Sequence, residues 1–192
     1  MPQPNPAALD FLLSRRSRPA KTLTAPAPER AELEVILTAA ARTPDHGKLE
    51  PWRFIVLETP ALKRLGALVA EIGAVRGYEQ AVIDKARSAY DDSALAVVVV
   101  SSPVESEKVP QVEQIYSAGA VCLSLLNAAL ASGWGANWLS GWASHTRSFC
   151  EEGLGLSESE SIAGIIHIGT ETCAPPERPR PDLAAKTEWV AK

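Results

Sequence analysis

The chain has 192 residues, 46% of them apolar and 22% charged, a size and composition suited to one globular domain with its own core. Its 19 Lys and Arg against 23 Asp and Glu leave a formal charge of −4, which argues against binding nucleic acid through its phosphates. No run approaches the roughly 18 apolar residues of a membrane span, and the N-terminus lacks the basic-then-apolar pattern of a secretory leader.

Residues 6–16 read as a short helix with Leu9, Leu12 and Leu13 on one side, followed by proline-punctuated chain over 17–28. Residues 29–42 carry the clearest amphipathic pattern, with Leu33, Ile36, Leu37 and Ala40 at helical spacing. Pro28 and Glu29 suit its start and Arg42 its end. A loop over 43–51 leads to a strand at 52–57. Helical periodicity returns over 60–87, with breaks expected at Gly73 and Gly77.

The β-branched run 94–100 predicts a strand covered on both faces. Residues 113–132 predict a helix apolar nearly all round, buried in the core or in a subunit interface. A strand at 134–139, a helix at 147–154 and a strand at 162–168 complete the layered pattern of one domain over 1–192. From about residue 170 the chain is a Pro-rich tail with little means of packing on itself, expected to wrap a neighbouring subunit. Cys122, Cys150 and Cys173 are odd in number and lack CxxC spacing, so they read as reduced thiols of a cytosolic protein. Five Trp, four of them beside unusual loops, are the composition's one anomaly.

Three segments carry chemistry. Arg15-Arg16-Ser17 offers two fork-shaped cations and a hydroxyl, apt for a phosphate. A helix C-terminus repels anions, so the side chains must supply the attraction; cations that merely complement the dipole are the plainer reading. The stretch from Arg42 to Trp52 holds Asp45 and His46, which invite a metal or general-base reading. Adjacent residues on extended chain point opposite ways, however, and a turn-rich connector explains the same residues. Gly133 to Trp142 has glycines that allow close backbone approach and Trp and Ser that could line a flat ligand. It departs from the dinucleotide fingerprint, since position six is Trp138 and a strand follows.

In this order, Arg-Arg-Ser, the helix ending in Arg-x-Pro-Asp-His, and Pro-Trp-Arg-Phe entering a strand resemble the nitroreductase family, in particular its small YdjA-like members. The segments Ile83 to Arg87, Lys108-Val109-Pro110, Glu113-Gln114, Ser117-Ala118-Gly119 and Gly169-Thr170 fit as well. The resemblance implies an α+β fold of the nitroreductase type: a central, mainly antiparallel sheet flanked by helices, in an intertwined homodimer with FMN at the subunit interface. It implies that Arg15, Arg16 and Ser17 hold the FMN phosphate and ribityl chain, with Trp138, Leu139 and Ser140 of the same subunit and Arg42 and His46 of the other. Lys48 and Glu50 stand where the broader family often has Asn and Gln, and Leu139 where near relatives tend to carry a basic residue.

The activity implied is that of an FMN-dependent NAD(P)H oxidoreductase. NADH or NADPH is the transient donor and a nitroaromatic or other electron-poor small molecule the acceptor, by a ping-pong scheme without a protein nucleophile. A flavin-binding store or sensor with little turnover accounts for the same residues, and a hydrolase built on Asp45 and His46 is the remaining alternative.

Overall fold

Seven consecutive residues, Leu95–Ser101 (β3), are all buried, as their β-branched composition demands. β3 pairs antiparallel with Trp52–Glu58 (β2) on one side and with Ser161–Glu171 (β5) on the other. β5 also pairs antiparallel with Gly135–Leu139 (β4) and, at its far end, with Leu23–Thr24 (β1). The helices are Pro6–Ser14 (α1), Arg30–Ala40 (α2), Thr59–Val75 (α3), Gln80–Asp91 (α4) and Gln111–Ala131 (α5). This computed structural model describes residues 3–191.

The sheet separates two cores. Val98 and Val100 of β3 face α3 and α4 with Leu62, Leu65, Val69 and Phe149; Val97 and Val99 face α2 and α5 with Ile36, Val121 and Leu125. This is the two-residue alternation of a strand, here apolar on both sides. α2 begins with a reciprocal cap in which the Glu29 backbone N–H donates to Glu32 Oε2 at 3.0 Å. α5 is long and apolar enough to cross a membrane, yet Val121, Leu125 and Ala129 pack into the second core.

Four expectations change. β1 was not anticipated: two residues are too short for periodicity to register, and only pairing with β5 defines them. Gly73 does not break a helix; it lies inside α3, where a side chain would meet Ile83 of α4, and the turn comes at Gly77, with φ +70°. The helix expected at 147–154 is present over that span, but its centre, Phe149–Gly153, is wound as a π-helical turn. α5 is not covered all round within one chain, since Val112, Ile115, Tyr116 and Leu123 are exposed on it. α1 likewise buries nothing, leaving Leu9, Leu12 and Leu13 exposed.

Candidate functional site

Backbone continuity places Arg15, Arg16 and Ser17 just beyond α1, and pairing with β4 holds them there. The Arg18 N–H donates to the Ala136 carbonyl at 2.9 Å, and the Asn137 amide donates to the Arg18 carbonyl. The result is a pocket of about 290 Å³ lined by Phe11, Arg15, Arg16, Arg18, Trp134 and Glu171. Arg18 pairs with Glu171 at 3.1 Å, and Arg16 with Glu177 at 3.3 Å. Arg15 has no acidic partner among the described residues. One terminal nitrogen donates to Ser17 Oγ at 3.1 Å, while its Nε is sealed from solvent with no partner. Burial, followed by the charges of Arg180, Arg16 and Arg18, pushes the Arg15 guanidinium below its ordinary value. A half-buried cation among cations, with a sealed donor left over, is the electrostatic complement of an anion.

A second cavity, of about 660 Å³, opens on the other side of β4 and is lined by α4 residues Ala81, Lys85 and Tyr90 together with Leu139, Ser140 and Trp142. Its walls are apolar, and its one cationic side chain is Lys85. Trp134 in the first pocket and Leu139 at the second stand five positions apart, about 17 Å of extended backbone. Trp138 is separated from Leu139 and Ser140, because alternation along β4 turns its indole to the opposite face, over Gly164 of β5.

Arg42 and His46 lie elsewhere. Thr43 Oγ1 donates to Ser124 Oγ at 2.8 Å, and His46 Nδ1 sits 2.7 Å from Glu113 Oε2 in the first turn of α5. Asp45 accepts from the Leu49 N–H at 2.6 Å. Among the described residues no three His, Cys, Asp or Glu side chains converge as metal ligands. The Arg15 pocket touches Leu130 and Gly133 at the opposite end of α5. The 17 residues from Glu113 to Leu130 put His46 roughly 25 Å from that pocket along the helix, whereas Thr43, next to Arg42, meets α5 at Ser124, about 9 Å from Leu130.

Three residues escaped the sequence reading: Arg18, Lys85 and Arg180. Arg18 adjoins the quoted triplet. Lys85 belongs to an i, i+4 row of α4 facing the cavity with Ala81 and Ala89, a signal the periodicity carries but does not assign. Arg180 reaches the Arg15 cluster from the tail, and no local pattern announces that.

A profile of the nitroreductase family matches residues 12–170, most of the chain. The chain belongs to the nitroreductase family. It is 37% identical over 163 residues to the "Putative NAD(P)H nitroreductase YdjA" of Escherichia coli (strain K12), covering 85% of this chain and 87% of that one. Its fold is similar to that of a nitroreductase-like family protein from Bacillus cereus, with a TM-score of 0.79, 25% identity and full coverage of both chains. A Desulfovibrio desulfuricans nitroreductase, solved in complex with FMN, shares the fold with a TM-score of 0.73 at 21% identity, over 98% of this chain and 99% of that one. The nitroreductase fold accounts for the antiparallel sheet between two helical layers.

Proposed function

We propose that this nitroreductase-family protein is an FMN-dependent NAD(P)H oxidoreductase acting on nitroaromatic or similarly electron-poor compounds. The observation that carries the reading is Arg15: a guanidinium in a cationic pocket, with a sealed, unpartnered Nε and no carboxylate of its own. A phosphate monoester supplies the missing charge and acceptors, and the adjoining β4 and apolar cavity suit a polar chain leading to a flat ring. The residues present therefore fit FMN.

Bound there, FMN would supply hydride acceptance from a nicotinamide and delivery of electrons to the acceptor that replaces it. The chain's own contributions are positional and electrostatic. Arg15 and Ser17, with Arg16, Arg18 and Arg180 around them, would hold the phosphate. The backbone of Leu139 and Ser140, followed by Gly141, would hold the ring, and the walls of Tyr90, Trp142 and Ile165 would exclude water. Lys85 is the cation available inside the same chain to offset negative charge on the ring.

His46 cannot reach the same ring from within one chain, because α5 separates it from the Arg15 pocket by roughly 25 Å. A homodimer that lays the His46 end of one copy beside the Arg15 end of the other reunites them. The exposed Val112, Ile115, Tyr116 and Leu123 of α5, the exposed α1 face and the uncovered Leu183 and Trp189 of the tail favour such a pairing.

The test is purification with added FMN, followed by anaerobic mixing with NADH and with NADPH. Uptake of flavin and its bleaching by either nucleotide are expected. A colourless protein that takes up no FMN refutes the reading, and bound flavin that neither nucleotide bleaches leaves the storage function.

A further inference from the structure

One buried titratable group has no part in the reading above. His167 lies on β5, is 2% exposed and forms part of the inner wall of the 660 Å³ cavity with Tyr90, Trp142 and Ile165. Its Nδ1 is 2.9 Å from Ser93 Oγ, and Ser93 donates its single hydroxyl proton to the Leu95 carbonyl at 3.1 Å. With that proton on the Leu95 carbonyl, Ser93 accepts from His167, an arrangement that puts the ring hydrogen on Nδ1. Burial pushes the imidazole down to about 4, so near neutral pH the ring is uncharged, and in that arrangement Nε2 is bare. Nε2 has no partner among the described residues, yet it is not one of the sealed, unpartnered atoms of the interior. Its lone pair thus meets the cavity.

The neighbouring polar groups leave that lone pair unmatched. Among the described residues no hydrogen bond joins Nε2 to the Tyr90, Ser140 or Ser144 hydroxyls of the cavity, and Trp142 Nε1 is sealed from it. A bare acceptor in apolar surroundings favours a neutral O–H or N–H. It disfavours an anion, which repels it, and a purely apolar ring, which strands it. The cavity volume lies within the usual range for a small-molecule site, and its aromatic walls suit a ring.

We propose that His167 is a specificity-determining residue, whose Nε2 selects electron acceptors with an aromatic ring carrying an uncharged hydrogen-bond donor. The inference rests on the oxidoreductase reading for the word acceptor. The carboxamide N–H of a nicotinamide has the same chemistry, so the experiment separates the two.

Affinities are measured calorimetrically near neutral pH for 4-nitrobenzyl alcohol and its isostere 1-ethyl-4-nitrobenzene, on FMN-loaded and FMN-free protein. Wild type is compared with His167→Phe and with His167→Gln, whose amide oxygen can still accept. In the loaded protein, His167→Phe is expected to shift the ratio of the two dissociation constants about 5- to 30-fold against the alcohol. His167→Gln is expected to keep part of the preference, and it serves alone if the phenylalanine variant fails to fold.

An unchanged ratio in the loaded protein overturns the proposal. So does a ratio shift confined to FMN-free protein that can be loaded, which gives the cavity to the cofactor. A preference for nicotinamide over N,N-dimethylnicotinamide, with none between the nitro compounds, also overturns it and makes His167 a donor-site residue. A protein that takes up no FMN fails the oxidoreductase reading separately, and the ratio in that protein then decides whether His167 selects the ligand.

Discussion

The indole of Trp138 lies over the bare Cα of Gly164, so close that a β carbon at Gly164 would overlap Nε1. Trp138 stands opposite Ile166 in the β4–β5 ladder, and the ring leans back across the strand to the glycine. Gly164 also adjoins the irregularity where the β3–β5 register shifts between Val99 and Val100. Gly164→Ala is expected to cost about 1–3 kcal/mol through the forced displacement of the indole. Thermal unfolding checks the loss, and a red-shifted Trp emission checks the displacement. Trp138→Ala in the same background should recover part of the loss, because it removes the overlapping ring.

Arg15→Ala is expected to weaken FMN binding by about 1.5–3 kcal/mol, the range for a hydrogen bond to a charged group. Fluorescence titration of FMN into the flavin-free protein reads it directly, and equal affinities for the two proteins would refute the phosphate assignment. Arg15→Lys keeps the charge and loses the fork, so it should fall between them.

Glu177 already pairs with two of the cations proposed to hold phosphate, Arg16 at 3.3 Å and Arg180 at 3.0 Å. Glu177→Gln is therefore expected to tighten FMN binding. Exposed pairs contribute about 0.2–1 kcal/mol, so the gain should stay below roughly fivefold and shrink as salt is added.

Acid should destabilise the protein in two stages. Unfolded, His167 takes up a proton below its ordinary 6.5; folded, burial denies it that proton until about pH 4. Stability is thus lost as pH falls from 6.5 to 4, by an amount on the order of 2–3 kcal/mol. Glu160 acts in the same direction, lower on the pH scale. Hydrogen bonds from Arg53, at 2.6 and 2.9 Å, are the chief cause holding its carboxyl near 2 rather than the ordinary 4.5. Its contribution is complete above pH 4.5 and drains away toward 2. Melting curves across this range should show His167→Phe flattening the first stage and Glu160→Gln the second.

Tyr116, 70% exposed on α5, belongs to the apolar face proposed to meet a second copy. Tyr116→Glu is expected to shift the protein from dimer to monomer in sedimentation velocity, and flavin affinity should fall with it. A wild-type protein that sediments as a flavin-loaded monomer would contradict the shared site.

Much of this was legible in the sequence where one rule dominates. The β-branched run of β3 and the helical spacing of Leu33, Ile36 and Ala40 in α2 announced themselves because burial on defined faces leaves a period. Arg15, Arg16 and Ser17 were legible because they are contiguous. Arg180 and Lys85 were not, since only tertiary folding brings the tail and α4 toward residues far away in sequence. His167 looked like a strand residue, which it is. Its tautomer depends on Ser93 and Leu95, a relation that no one-dimensional pattern encodes. The Trp surplus divides by environment: Trp134 and Trp142 line separate cavities, Trp138 covers Gly164, and Trp52 donates to Ser117 Oγ at 3.2 Å. Trp189 lies almost wholly in solvent within one chain.

The span of α5 between Glu113 and Leu130 has a genetic consequence. If each site takes Arg15 from one copy and His46 from the other, a chain damaged at Arg15 and a chain damaged at His46 can rescue each other. In a mixed pair, both lesions fall into one site and the second site is intact. Random reassociation of equal amounts should restore about a quarter of the sites, as two-fold symmetry requires. Two inactive preparations, unfolded together and refolded, should then yield an active one.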